Sequence, residues 1–432
     1  MKKVLLGTTA LIAATFASQA ARADDQPVKL SISGIAQFAY GVAVSEKEHS
    51  NNGGGSISQI SSDHLPDSAK TYTNLDISGD AKFKNGLTAG AFIEFSAQPN
   101  ASGSNGTTGT TQIKQDWVHI KGDSFGEVRM GDFTDARRIN GLAAPSWSPN
   151  YFLTGNSPDI AFIGSGAGSN TTTAYFGNRF MTEIAYFSPT FDGATLVLSY
   201  APDNGTFSSA GPGSAVTTAS GNYAQNNTAF GSKTFIRDIF SGALSWSGTF
   251  SGFTINADVG LTTGSAKKNN VFYAANVNGN PFAFDGGANV TYGPWTVGAA
   301  YEQTSNLMGG YGAGLNAEQV DKTLDVGFTY TIGNLTTGVE WSRGIYEGGL
   351  AAAGLGAAAN TSADPKSHFT LDTVTPGASY VIGPGVDIDA GVAYNVAHGN
   401  GYDAAAYTGS FSGAGQTRGQ DIVLEFGTEV KF

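Results

Sequence analysis

Seven tight connections and eight long ones alternate strictly along this chain, and that order limits the folds open to it. The tight ones are KNG (84–86), GDSFG (122–126), SPTFDG (188–193), SGTFSG (247–252), YGP (292–294), IGN (332–334) and IGPG (382–385). Gly, Asn, Asp and Pro supply the backbone angles that short hairpins need. The long ones, 45–69, 98–110, 135–171, 202–232, 264–280, 305–319, 346–366 and 398–418, are rich in Gly, Ser, Asn, Thr and Ala. Together they join sixteen strands.

The strands have a two-residue period. Leu324, Val326, Phe328, Tyr330 and Ile332 alternate with Asp325, Thr329 and Thr331; Val386, Ile388, Val392, Tyr394 and Val396 alternate with Asp387, Asp389 and Asn395. A soluble sandwich or adhesin could be built from the same strands, but it has no reason to sort its connections by length. A sheet that spans lipid must pair every backbone group internally, so it closes. An even strand number then puts short turns on one side and long loops on the other. The fold expected is all-β, a single domain: a transmembrane antiparallel 16-stranded β-barrel.

If the apolar parity meets lipid, the other parity lines the bore. That assignment sends inward Asn74, Asp76, Asp80, Glu94, Glu127, Glu183, Asp258, Asp285, Glu302, Asp325, Glu340, Asp387, Asp389, Glu425 and Glu429. The inward basic residues are fewer: Lys29, Lys82, Lys121, Arg129, Arg179, Arg237 and Lys431. Carboxylates in a narrow aqueous channel concentrate cations. Tyr186, Phe187, Tyr200, Tyr292, Trp295, Tyr330, Trp341, Tyr380 and Tyr394 lie near strand ends, where girdles at the two headgroup levels are expected.

Composition closes off other classes. No cysteine means no disulfide, no thiolate metal site and no Cys nucleophile. The five histidines form no HExxH spacing and no Ser/His/Asp grouping, so no catalytic site, cofactor or metal is expected. SSDHLPD (61–67) carries oxygen and imidazole ligands, yet surface loops of this composition usually hold no ion. The amino end reads as a signal peptide over 1–23: MKK, a short apolar core, and Ala21-Arg22-Ala23 before the cleavage point. Losing it moves the net charge from −12 to −15, which argues against nucleic acid as a partner. The domain proper is then 24–432.

Several stretches resemble the general porins of Gram-negative outer membranes, in particular those of alphaproteobacteria. They are VKLSISGIAQFAYGV, NGLTAGAFIEF, IAYFSPTFDGATLVLSYAPDN, YVIGPGVDIDAGVAYN and the closing EFGTEVKF. The resemblance implies a Sec-exported outer-membrane channel for passive diffusion of small hydrophilic solutes, with periplasmic turns and extracellular loops. It also implies a homotrimer set in outer-membrane lipid and lipopolysaccharide, and a third loop folded inward. Two departures stand out: Asp132 replaces the basic residue relatives often carry in GEVRMGDF, and the second loop, PNASGSNGTTGTT, lacks the acid relatives often use to latch a neighbouring subunit.

The longest loop, beginning DARRINGLAAPSWSPNYF, suits a constriction. Asp135 and Asp159 from that loop are expected to face Arg129 and His119 on the wall, with Arg137, Arg138 and Glu94 nearby. Phe432, at the end of an alternating strand, resembles the signal read by the barrel assembly machinery. A substrate-specific sugar or peptide channel is the nearest alternative: Trp117 and Phe92 share the inward parity, and Trp147, Tyr151 and Phe152 lie in the loop.

Overall fold

The computed structural model describes residues 28–52, 56–59, 67–96, 112–150, 152–153, 181–203, 235–267, 280–305, 320–347, 368–400 and 417–432. The strands are β1 (Lys29–Asn52), β2 (Ser56–Gln59), β3 (Asp67–Lys82), β4 (Thr88–Ser96), β5 (Gln112–Gly122), β6 (Gly126–Phe133), β7 (Met181–Phe187), β8 (Ala194–Asp203) and β9 (Phe235–Phe250). They continue as β10 (Phe253–Lys267), β11 (Phe282–Tyr292), β12 (Trp295–Ser305), β13 (Val320–Ile332), β14 (Leu335–Glu347), β15 (His368–Gly383), β16 (Val386–Asn400) and β17 (Thr417–Lys431). One helical turn, α1 (Ala136–Asn140), follows β6.

β2 is a short ribbon that pairs only with the far end of β1. The other sixteen strands pair antiparallel in chain order, and β1 bonds both β3 and β17, so the sheet closes on itself. The ladder of the closing seam continues into Phe432, whose N–H donates to the Gly34 carbonyl at 3.1 Å while its own carbonyl accepts from the Gly34 N–H at 2.9 Å. The Phe432 ring covers the outer side of Gly34, where a Cβ would meet it at 2.5 Å.

All seven expected tight turns form, and each contains one glycine at positive φ: Gly86, Gly126, Gly193, Gly252, Gly293, Gly333 and Gly385. Only glycine reaches that region without a Cβ penalty, so the turn sequence and the hairpin register are set together.

The outer parity is apolar as expected. Leu198, Phe240, Leu244, Val259, Leu261, Val297 and Phe328 are all exposed, which in water would be costly and in lipid is favourable. Near the turns the aromatics pair: Phe253 stacks on Tyr292 at 4.5 Å and Trp295 leans on Tyr330 at 4.2 Å. Trp246 Nε1 donates to the Asp192 carbonyl at 3.0 Å, which ties an interfacial indole to a turn. Phe187 departs from the expected girdle. Its parity is inward, and it lies over Arg129 rather than against lipid. β1 also outruns its expected end at Val44, because residues 45–50 continue to pair with 417–422. That stretch is polar and carries no apolar alternation, so the sequence reads there as loop.

Candidate functional site

The loop after β6 starts with a capped helical turn laid against the wall. Asp135 is buried and accepts a hydrogen bond from the Arg138 N–H at 3.0 Å, the usual role of an N-cap carboxylate. The next two N–H groups are satisfied from the barrel: Ala136 donates to Ser199 Oγ and Arg137 to Ser241 Oγ. The Arg137 side chain is fully buried, with Nη1 3.3 Å from Glu302 and 3.7 Å from Asp285. Burial alone would lower its pKa, but Glu302, Asp135 and Asp285 together hold the guanidinium above its ordinary value. Asp135 and Arg137 therefore seat the loop instead of facing passing solutes. Arg138 is half-buried.

From α1 the loop follows the inner wall strand by strand. Asn140 bonds Ser245 on β9, and Asn289 on β11 donates to the Ala143 carbonyl. Trp147, 1% exposed, is the largest of the fully buried side chains among the described residues. Its Nε1 donates to the Thr375 carbonyl at 2.9 Å, and its ring occupies space that any Cβ on Gly377 or Gly391 would enter at 2.4 Å. Asn150 then bridges the closing seam: its Nδ2 donates to Phe38 O on β1 at 2.9 Å and Thr428 O on β17 at 3.2 Å. Phe152 and Leu153 finish the contact in a cluster with Ala39, Trp147, Ala393 and Val423. The belt thus crosses the inner faces of β8 to β17 and reaches β1. Sequence reasoning missed Trp147 and Asn150 as seats. The signal was present as glycines at inward positions of the strands they touch.

The wall of β3 to β7 is left uncovered by the described part of the loop. Its side chains form a graded lattice in register. Phe92 and Trp117 are cross-strand partners and stack at 4.9 Å. Arg129 lies over the Trp117 ring at 4.0 Å and over Phe187 at 4.4 Å, while Glu127 binds its Nε and Nη2 at 3.1 and 3.0 Å. Sandwiching of this kind contributes about 0.5–2 kcal/mol and fixes the cation in place. One row toward the turns, His119 Nε2 lies 3.2 Å from Asp80 Oδ1. Toward the loops, Glu94 accepts from Asn74 and from Gln115, with Lys114 Nζ 3.8 Å away. Below them Lys82, Thr88, Lys121, Asp123, Glu127 and Phe187 line a cavity of about 290 Å³.

The expected inward carboxylates do face inward, but they fall into two groups. Asp258, Asp285, Glu302, Asp325, Glu340, Asp389, Glu425 and Glu429 sit on strands that the belt crosses, and most of them are almost fully buried. Asp76, Asp80, Glu94, Glu127 and Glu183 sit on the uncovered arc. Of the residues expected at the constriction, Arg129, His119 and Glu94 share that arc, while Asp159 lies outside the described residues. No group of three or more metal-type ligands occurs among the described residues.

Solved structures of similar shape include outer-membrane channels and porins. The outer membrane channel DcaP of Acinetobacter baumannii matches with a TM-score of 0.55 at 14% identity, over 95% of this chain and 99% of that one. The anion-selective porin from Comamonas acidovorans matches with a TM-score of 0.53 at 14% identity, over 94% and 100%. Salmonella typhi OmpF, solved with daunomycin, gives 0.53 at 14%, over 94% and 98%. At these identities the likeness is one of fold. No curated protein matches by sequence. The model of the Gram-negative porins, however, matches residues 7–400, through the barrel and its inward belt alike, and the chain belongs to that family.

Proposed function

We propose that this outer-membrane porin is a general diffusion channel for small hydrophilic solutes and ions, with a mild preference for cations. The uncovered arc carries the reading. There Asp76, Asp80, Glu94, Glu127 and Glu183 stand against Lys82, Lys114, Lys121 and Arg129, a small acidic excess at the open wall. The chain's net charge of −12 adds a further negative background, which water in the bore screens only in part. The wall side of the constriction is Arg129, His119 and Glu94, and the loop side is Arg138 and Asp159, with Asp135 and Arg137 holding the loop in place. A reversal potential measured across a salt gradient in planar bilayers is expected to show modest cation preference. Anion preference would overturn this reading.

A sugar-specific channel needs free aromatic faces along the bore. Here Phe92 covers one face of Trp117 and the Arg129 guanidinium the other, so the stack offers edges to a solute. That favours unspecific diffusion over saturable transport.

We also propose a homotrimer. The outward face of β1 is apolar, with Leu30, Ile32 and Phe38 exposed, and can pack against a second barrel as well as against lipid. Residues 1–23 direct export through the Sec pathway and are then removed by cleavage after Ala23, and Phe432 serves as the address for barrel assembly. Deleting Phe432 is expected to cut the yield of folded, heat-modifiable protein several-fold while leaving the unit conductance of the inserted fraction unchanged. Wild-type yield would remove that role.

A further inference from the structure

Of the sixteen strand pairings that close the barrel, fifteen join successive barrel strands, each linked to the next by a turn or loop. The sixteenth, β1 with β17, has no such link. Gln37 on β1 donates to Glu429 on β17 at 2.5 Å, across 392 positions of sequence. The entropic cost of closing a loop rises with its length, so this seam gains least from chain connectivity.

The far end of the belt lies on the inner side of that seam, and Asn150 is its centre. Asn150 is 112 positions from Phe38 and 278 from Thr428, and its Nδ2 donates to both carbonyls. Gly34 and Phe432 exchange both backbone hydrogen bonds, so Phe38 and Thr428, four residues on in the same register, do the same. Each of these carbonyls then accepts once from the ladder and once from Asn150. The rest of Asn150 is fixed as well. Its N–H donates to Ser148 Oγ at 2.9 Å, its Oδ1 accepts from the Phe152 N–H at 3.1 Å, and its carbonyl accepts from the Leu153 N–H at 3.1 Å. Gln37 Nε2 also donates to the Pro149 carbonyl at 3.4 Å, a second tie to β1. On β17 the inward Gly427 leaves the room, since a Cβ there would meet Leu153 at 2.5 Å and Asn150 at 2.8 Å. One fully buried side chain thus holds both edges of the opening.

We propose that Asn150, with Leu153 seated over Gly427, is a clasp for barrel closure: the belt docks inside the open sheet and brings the edges of β1 and β17 together. Docking on β1 closes a loop of 112 positions, and β17 then pairs with an edge that already carries a donor for it. Narrowing of the bore and closure of the wall become one event, so a sealed barrel already carries its belt. This role is separate from that of Phe432, which covers Gly34 on the outer side of the same seam.

The chain has no cysteine, so a single introduced disulfide reports on the seam. Ile35 and Lys431 are register partners in a non-hydrogen-bonded pair, the kind with the closer side chains. Ile35→Cys with Lys431→Cys is placed in wild type, Asn150→Ala, Gly427→Val and Arg137→Met, and each is refolded from urea into detergent with an oxidant present. Arg137→Met loosens the belt at β11 and β12 and controls for a general loss of stability. Asn150→Ala and Gly427→Val should slow formation of the seam disulfide at least about five-fold, the scale of one buried hydrogen-bonding group left unpaired. Arg137→Met should slow it less than about two-fold, because a contact made away from the closing step acts on unfolding. In a second arm the disulfide is formed in urea before refolding, and this should return Asn150→Ala to the wild-type yield of heat-modifiable barrel. Closure of Asn150→Ala at the wild-type rate would place belt docking after closure and overturn the clasp. Equal slowing in all three variants would overturn it too, reducing Asn150 to one stabilising contact among others. A preformed disulfide that fails to restore the yield would show that Asn150 acts away from the seam, and the proposal would fall.

Discussion

Trp147→Ala is expected to cost about 3–5 kcal/mol of stability, the range for removing a large aromatic from a packed site. The ring is almost fully buried, its N–H is bonded to Thr375 O, and the wall beneath it is two glycines, so no neighbouring side chain can move in to fill the space. The drop should appear as a lower midpoint in denaturant unfolding of detergent-solubilised barrel, followed by loss of gel heat-modifiability at a lower temperature. The same loss should free the belt from β15 and β16, so unit conductance rises and becomes noisier. Gly391→Val should act alike from the wall side, because its side chain and the indole would compete for one volume. An unchanged midpoint in both variants would show that the indole is not what seats the loop.

Arg137→Met is the second large effect. It removes the cation between Glu302 on β12 and Asp285 on β11 and leaves those carboxylates beneath the belt without it. Breaking one side of a buried ion pair costs about 3–5 kcal/mol, because the remaining charge stays desolvated. The size of the loss separates an anchor from a pore-lining charge: an arginine in open water would change selectivity and leave stability within about 0.5 kcal/mol. Adding Glu302→Gln and Asp285→Asn to Arg137→Met should recover most of the lost stability, since the uncompensated charges go with their partner. If the triple variant were no better than the single one, the ion pairs would not be the anchor.

The barrel was legible because its two determinants are local. The apolar parity shows in any ten residues, and the turns announce themselves by glycine at the position that needs positive φ. Where apolar alternation ceases, legibility ends too, which is why β1 was cut short at Val44. The placement of Phe187 failed for a related reason. It was grouped with Tyr186 as a strand-end aromatic, whereas the period of Ile184 and Tyr186 already sends Phe187 inward.

The loop resisted reading because charge in a loop has the same appearance whether it caps, anchors or faces water. Asp135 and Arg137 were expected at the constriction and turn out to hold a helical turn and a buried ion pair. The clue lay in residues more than two hundred positions away: Gly377 and Gly391 are inward-facing gaps on adjacent strands, and their use becomes visible only when the sheet is closed and Trp147 is laid across it. The Arg129 stack was half legible. Trp117 and Phe92 share a parity in the sequence, but the guanidinium between Trp117 and Phe187 depends on the register of β5, β6 and β7.

The central claim is a water-filled barrel whose bore is narrowed by a belt fixed to its own wall. Single-channel recording in planar bilayers tests it most directly, on wild type and Trp147→Ala purified in parallel. Discrete, stable steps whose size grows in proportion to salt concentration are expected for wild type, with larger and noisier steps for the variant. A wild type that inserts folded and heat-modifiable yet produces no conductance steps would contradict the account.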